Sequence, residues 1–238
     1  MEDYQNAAAA AQGLINSKRY TLISDGDAYK TMWLNDVGTE AIWQFAMSKT
    51  ETGSNALGSS FMGIVDKLPR PSYLPVKSVL NLYDKENDIR YDAYFTTGLI
   101  DRQVGDDIEV TYCSKWPGNP ELYEGKSNNV NKLKAFRISE MYLIAAEAYA
   151  MLNQEDKASE MLNELKKIRI KGWTETVYNG AALMQEIQDE RVRELFAEGN
   201  RLFDMKRWKI GMKRSSSDAQ RDDYLPALGT DIEKGSYR

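Results

Sequence analysis

The chain has 238 residues, 42% hydrophobic and 28% charged, with 31 basic against 36 acidic residues and a net charge of -5. That balance is too apolar for a disordered chain and too polar for a membrane-embedded one. Its sign is wrong for a protein that lives on phosphate contacts, so nucleic acid is not an expected partner. There is no histidine, which excludes Ser-His-Asp and Cys-His catalysis and every histidine-ligated zinc; Cys113 is the single cysteine, which excludes an internal disulfide and cysteine-cluster metal sites.

Residues 1–47 read as a helical start. The stretch 5–15 is alanine-dense and free of proline, a good helix former. Ser24-Asp25-Gly26-Asp27 is turn chemistry that also caps a second helix over 28–34. The segment 40–47, with Ile42, Trp43 and Phe45, reads as a short strand or packed edge, and Trp33 and Trp43 are expected in the core. The uncharged runs 4–17 and 52–65 are too short to span a bilayer. The opening Met1-Glu2-Asp3-Tyr4 lacks the basic start of a secretory signal.

Residues 48–131 change character and form the loop-rich candidate for a ligand face. Five of the six prolines fall here (Pro69, Pro71, Pro75, Pro117, Pro120), among recurring tyrosines. A short helix is expected over 77–83 and strands over 90–97 and 108–113. Loops this long inside a domain tend to carry function. Residues 132–210 carry the strongest periodicity. Ile138, Met141, Tyr142, Ala145, Tyr149 and Leu152 keep the spacing of one helix face, and Ala158, Met161, Leu162, Leu165 and Ile168 keep that of a second. Asn153 suits the turn between them. A third helix is expected over 181–197 and a fourth over 200–208, followed by a tail, 211–238.

No Walker loop or G-x-G-x-x-G is present. Asp84, Glu86, Asp88 and Asp92 alternate as in a calcium loop, but Ile89 stands where glycine is needed and Phe95 where glutamate is needed. A solvated acidic turn is the expectation, with no metal or cofactor. Nothing singles out a glycosidase carboxylate pair among the acids. Arg191 falls inside the apolar stripe of Leu183, Met184, Ile187 and Leu195. A buried arginine needs carboxylates, so a structural ion-pair network of Arg191, Arg201, Glu140, Glu147, Glu194 and Asp204 is expected. Trp116, stiffened by Pro117-Gly118-Asn119-Pro120 and flanked by Tyr112 and Tyr123, is the expected stacking platform for a sugar ring, with Asn119, Asn128 and Asn129 reaching hydroxyls.

Arg137-Ile-Ser-Glu140-Met-Tyr-Leu-Ile-Ala-Ala-Glu147-Ala resembles the R-x-x-E-x-Y-L-x-x-A-E-A helix of the SusD/RagB family of outer-membrane nutrient-binding lipoproteins. Leu162-Asn163-Glu164-Leu165-Lys-Lys-Ile-Arg169 is similar to its L-N-x-V-R segment. Ile187-Gln-Asp-Glu190-Arg191-Val-Arg-Glu194-Leu195 and Glu198-Gly199-Asn-Arg201-Leu-Phe203-Asp204-Met-Lys-Arg207-Trp208 resemble its closing pattern. Upstream, Ile15-Asn-Ser-Lys-Arg-Tyr20-Thr-Leu and Leu82-Tyr83-Asp84 with Asp88-Ile-Arg90 resemble two looser segments; Arg19 departs from the usual glycine.

The resemblance implies a mainly α protein with tetratricopeptide-like helix pairs, long irregular loops and a few short strands. It implies non-catalytic binding of oligosaccharide at the outer membrane and delivery to a TonB-dependent, SusC-like transporter. A peptide-binding relative and, from another class, a carboxylate glycosidase are the alternatives. The family's lipid-bearing cysteine and its first half have no counterpart here, and Tyr224-Leu225-Pro226-Ala227 matches only the start of its terminal stretch. On this reading the chain is the C-terminal part of such a protein, held to a membrane only through an anchor outside it.

Overall fold

Three helices begin where the sequence places a carboxylate before them. Asp3 accepts the backbone N–H of Asn6, Asp25 that of Ala28 and Asp88 that of Arg90. Each satisfies a donor that a helix start leaves without a partner. The computed structural model describes residues 2–50, 57–65, 67–101, 106–122, 129–214, 216–220 and 232–234. Its helices are α1 (Tyr4–Asn16), α2 (Gly26–Asn35), α3 (Ser59–Met62), α4 (Lys77–Leu80), α5 (Ile89–Tyr94), α6 (Ile138–Met151), α7 (Glu155–Arg169), α8 (Gly180–Glu194) and α9 (Arg201–Arg207). The strands β1 (Ala41–Gln44), β2 (Ile64–Val65), β3 (Leu68–Pro69), β4 (Phe95–Ile100), β5 (Ile108–Cys113), β6 (Lys134–Arg137), β7 (Met212–Arg214) and β8 (Ile232–Lys234) pair antiparallel, β1 with β6, β2 with β3, β4 with β5 and β7 with β8.

The fold is mainly α, as the periodicity and the resemblance anticipate. α6 is the organising element. Its buried Ala145, Ala146 and Ala148 keep its sides small, and α1, α7 and α8 all pack against it. Ala11, Ile15, Leu143, Leu162, Leu165 and Ile187 close this first core. Asn153 makes the α6–α7 turn with φ 58°, a left-handed conformation that asparagine tolerates. Among the described residues no helix is long and apolar enough to cross a membrane.

The segment expected as a strand over 90–97 is instead α5 followed by β4. Arg90, Ala93 and Tyr94 are all buried, at helical spacing, and β4 starts only at Phe95. Tertiary burial of that face, with the Asp88 cap, overrides the aromatic strand propensity. α5 packs on α2 to form a second core of Tyr29, Met32, Trp33, Tyr94, Phe95, Cys113 and Trp116. Burial raises the Cys113 thiol to about 11, so it is an inert packing residue. The β4–β5 hairpin covers a third cluster of Ile100, Ile108, Val110 and Tyr112.

Candidate functional site

The first and second cores are joined by charge. Arg90, Arg137 and Arg169 are fully buried and converge on Glu194. Arg137 also reaches Glu40 at 2.9 Å and Glu198 at 2.7 Å, and Arg169 reaches Glu40 at 2.8 Å. Arg90 pairs with Asp88 at 2.7 Å and with Glu190. Tyr29 and Tyr94 share a hydrogen bond between their hydroxyls, and Tyr94 donates to the Glu194 carbonyl at 3.0 Å. Lys115 sits over the rings of Trp33 and Tyr94 and pairs with Glu198 at 2.7 Å. Burial lowers its ammonium to about 8 against the pull of Glu198.

Glu40, Glu190, Glu194 and Glu198 each face two or three cations, so their charges are held by the fold. Burial pushes the Glu190 carboxyl up, but the Arg193 and Arg90 charges outweigh it and hold it at about 2. Glu194 is likewise held well below the usual range by Arg169, Arg137 and Arg90, and Glu198 is lowered by Arg137 and Lys115. The sign follows: depressed folded-state values favour the folded state above the ordinary value of 4.5, and that stability is lost as pH falls through the depressed values. Urea midpoints measured from pH 7 down to pH 2 are expected to hold to about pH 4.5 and then fall steadily; a flat profile would contradict the network's contribution.

Arg191 belongs to a separate, smaller cluster. It pairs with Asp204 at 2.8 Å and approaches Glu140 at 3.8 Å. Glu147 pairs with Arg207 and accepts the Trp208 indole N–H at 3.0 Å, while Arg201 lies exposed at the start of α9. Glu194 therefore stands in the main network rather than beside Arg191. Asp84 and Asp88 do not face one another as cation ligands. Asp84 accepts the backbone N–H groups of Glu86 and Asn87, and Asp88 caps α5 and pairs with Arg90.

The expected stacking platform is corrected by the structure. Trp116 is 2% exposed, meets Trp33 edge to face at 5.1 Å and donates its indole N–H to the Ala197 carbonyl at 3.2 Å. Asn119 is 1% exposed and donates to Asn35 and Asp36. Asn129 is buried and donates to the Pro117 carbonyl, and Tyr112 is buried in the third cluster. Gly118 has φ +92°, and a Cβ there would stand 2.8 Å from the Asn129 backbone, so the proline-rich turn is clamped inward. Tyr123 and Asn128 lie outside the described residues.

Trp43, expected in the core, is 52% exposed. With Phe45 (46%) and Phe136 (48%) it forms an open three-ring face on the β1–β6 pair. Trp43 and Phe136 are paired across the strands, with ring centroids 6.2 Å apart and planes 27° from parallel, and Phe45 follows at 4.9 Å from Trp43. Beside these rings lies a cavity of about 370 Å³ lined by Met32, Asp36, Gly38, Trp43, Gln44 and Lys134. Asp36 is buried and engaged by Asn119, Lys132 and Lys134 at 2.9–3.0 Å. The face thus offers flat apolar rings and a cavity wall whose charges are already neutralised. Sequence reasoning missed this face, because the run of Ile42, Trp43 and Phe45 reads as core.

A cavity of about 540 Å³ lies between α4 and α8–α9, walled by Val79, Leu82, Val192, Leu195, Phe196 and Leu202. Its walls are chiefly aliphatic, and Arg191 and Asp204 at its edge satisfy each other.

A model described as the SusD family matches residues 83–232. A SusD-like protein of Formosa agariphila is 28% identical over 125 residues, which is 51% of this chain and 24% of that protein. The crystal structure of a SusD superfamily protein from Bacteroides thetaiotaomicron superposes with a TM-score of 0.72 at 24% identity, over 97% of this chain and 51% of that one. Surface glycan-binding protein A from Bacteroides uniformis superposes with a TM-score of 0.62 at 18% identity, over 94% of this chain and 49% of that one. This chain therefore spans about a quarter of the curated relative and about half of the solved structures.

Proposed function

The chain belongs to the SusD family, and from that premise we propose that it binds neutral or polymeric glycan non-catalytically through the Trp43–Phe45–Phe136 face. The observation that carries this reading is the exposure of three adjacent rings beside a polar cavity. Sugars present apolar C–H faces that stack on aromatic rings, and their hydroxyls need planar polar groups at the edge. An open face of several rings suits a chain that passes across it better than a single sugar. The printed name of the Bacteroides uniformis relative, a surface glycan-binding protein, supports the same class of ligand.

The carboxylate that lines the adjoining cavity, Asp36, is held by Asn and Lys partners, which supports binding over hydrolysis. By the family resemblance, the whole protein works at the cell surface, lipid-anchored in the outer membrane, and hands its glycan to a TonB-dependent transporter. A glycan array followed by calorimetry tests the binding role, and co-purification with the transporter tests the partnership.

Trp43→Ala is expected to weaken glycan binding about tenfold or more, since an aromatic contact contributes roughly 0.5–1.5 kcal/mol beyond its buried area. The urea midpoint is expected to stay near the wild-type value, because half of the ring is already in water. Unchanged affinity in this variant would remove the three-ring face from the site.

A further inference from the structure

We propose that the Gln44 amide is the hydrogen-bonding half of this glycan site: its Oε1 accepts a hydroxyl of the sugar stacked on Trp43 and selects for sugars carrying a hydroxyl at that position. The inference rests on the glycan reading above and assigns a specificity-determining residue to it.

Neighbouring residues of a strand normally point to opposite faces. β1 breaks this rule, with register irregularities between Ala41 and Trp43 and again between Trp43 and Gln44. Such bulges re-aim side chains. Trp43 and Gln44, together with Ala41 and Ile42, line the same cavity.

The amide is oriented before any ligand arrives. Gln44 Nε2 donates at 3.0 Å to the backbone carbonyl of Asp36. Asp36 is the left-handed cap of α2, and its side chain is anchored by Asn119, Lys132 and Lys134. With the nitrogen engaged there, the oxygen has to be the remaining group, and Oε1 is shielded and without a hydrogen-bond partner among the described residues. A shielded acceptor lacking a donor is unfavourable, and it calls for a donor from outside the chain. A sugar hydroxyl supplies one when the amide turns Oε1 into the cavity, at the expense of the Nε2 bond to the Asp36 carbonyl. A sugar carboxylate would set acceptor against acceptor, beside the Asp36 carboxylate that also lines the cavity.

The test uses maltohexaose, cellohexaose, xylohexaose and mannohexaose in calorimetry with the wild type, Trp43→Ala and Gln44→Met, each variant first checked by thermal melting. The hexaose bound tightest is then compared with its monodeoxy forms. Gln44→Met is expected to weaken that hexaose about five- to tenfold, the loss of one neutral hydrogen bond. The wild type should lose a similar factor on one monodeoxy form that Gln44→Met no longer distinguishes. Gln44→Met with wild-type affinity, or wild type indifferent to every deoxygenation, would overturn the assignment; the second readout stands whether or not the variant folds. Trp43→Ala losing affinity while Gln44→Met keeps it would remove Gln44 alone. Failure of the wild type to bind any of the four would overturn the glycan reading and this inference with it.

Discussion

Glu194→Ala is expected to cost about 3–5 kcal/mol of folding stability. Its carboxylate is fully buried and takes Arg90, Arg137 and Arg169 at 2.9–3.0 Å. Removing it strands three guanidinium groups on Glu40, Glu190, Glu198 and Asp88, which already serve other bonds. The damage falls at the junction of the two cores, because Arg169 and Arg137 come from the helical body and Arg90 from α5. Against a typical total of about 5–15 kcal/mol, such a loss leaves a chain that is barely folded at 37 °C. Urea denaturation of the variant measures it, and a loss below about 1 kcal/mol would show that the network contributes little net stability.

Trp116→Ala is expected to cost a similar amount, about 3–5 kcal/mol, through the cavity left by a large buried ring. The indole is packed edge-on against Trp33, and its N–H partner is the Ala197 carbonyl. That carbonyl belongs to a residue held at φ +57°, in the turn that also carries Glu198. Losing the indole therefore loosens the α8–α9 turn as well as the second core. Glycan affinity per folded molecule is expected to be unchanged, the reverse of Trp43→Ala. Calorimetry at a temperature where the variant is folded, set beside its urea midpoint, separates the two. A Trp116→Ala protein of normal stability with lost glycan binding would restore Trp116 to the site.

The helical body was legible because its signal is local. One face of α6 repeats at i, i+3, i+4 and i+7, and Asn153 marks its end. Several charged residues that carried the family resemblance, Arg137, Arg169, Glu190, Glu194, Glu198, Asp88 and Arg90, meet in one network. A buried charge must meet its partner's geometry, so removing either partner is costly. Arg191 was legible for the same reason: an arginine in an apolar stripe demands a carboxylate, and Asp204 supplies it. Which carboxylate would do so lay beyond the sequence, since Glu140, Glu147 and Glu194 sit at equally plausible spacings.

Composition and periodicity by themselves determined a mainly helical chain without histidine or disulfide chemistry, and the ordered motifs determined its family. Tertiary structure alone decided which aromatic rings meet solvent. Trp33, Trp43 and Trp116 are chemically identical, and each stands in a stretch that reads as apolar or turn-like. Burial is set by what other segments bring: Tyr94 and Lys115 cover Trp33, the α8–α9 turn covers Trp116, and Trp43 stays open beside Phe45 and Phe136. Those contacts join residues tens of positions apart in the chain, and a one-residue irregularity in register exchanges inside for outside, which no local pattern records.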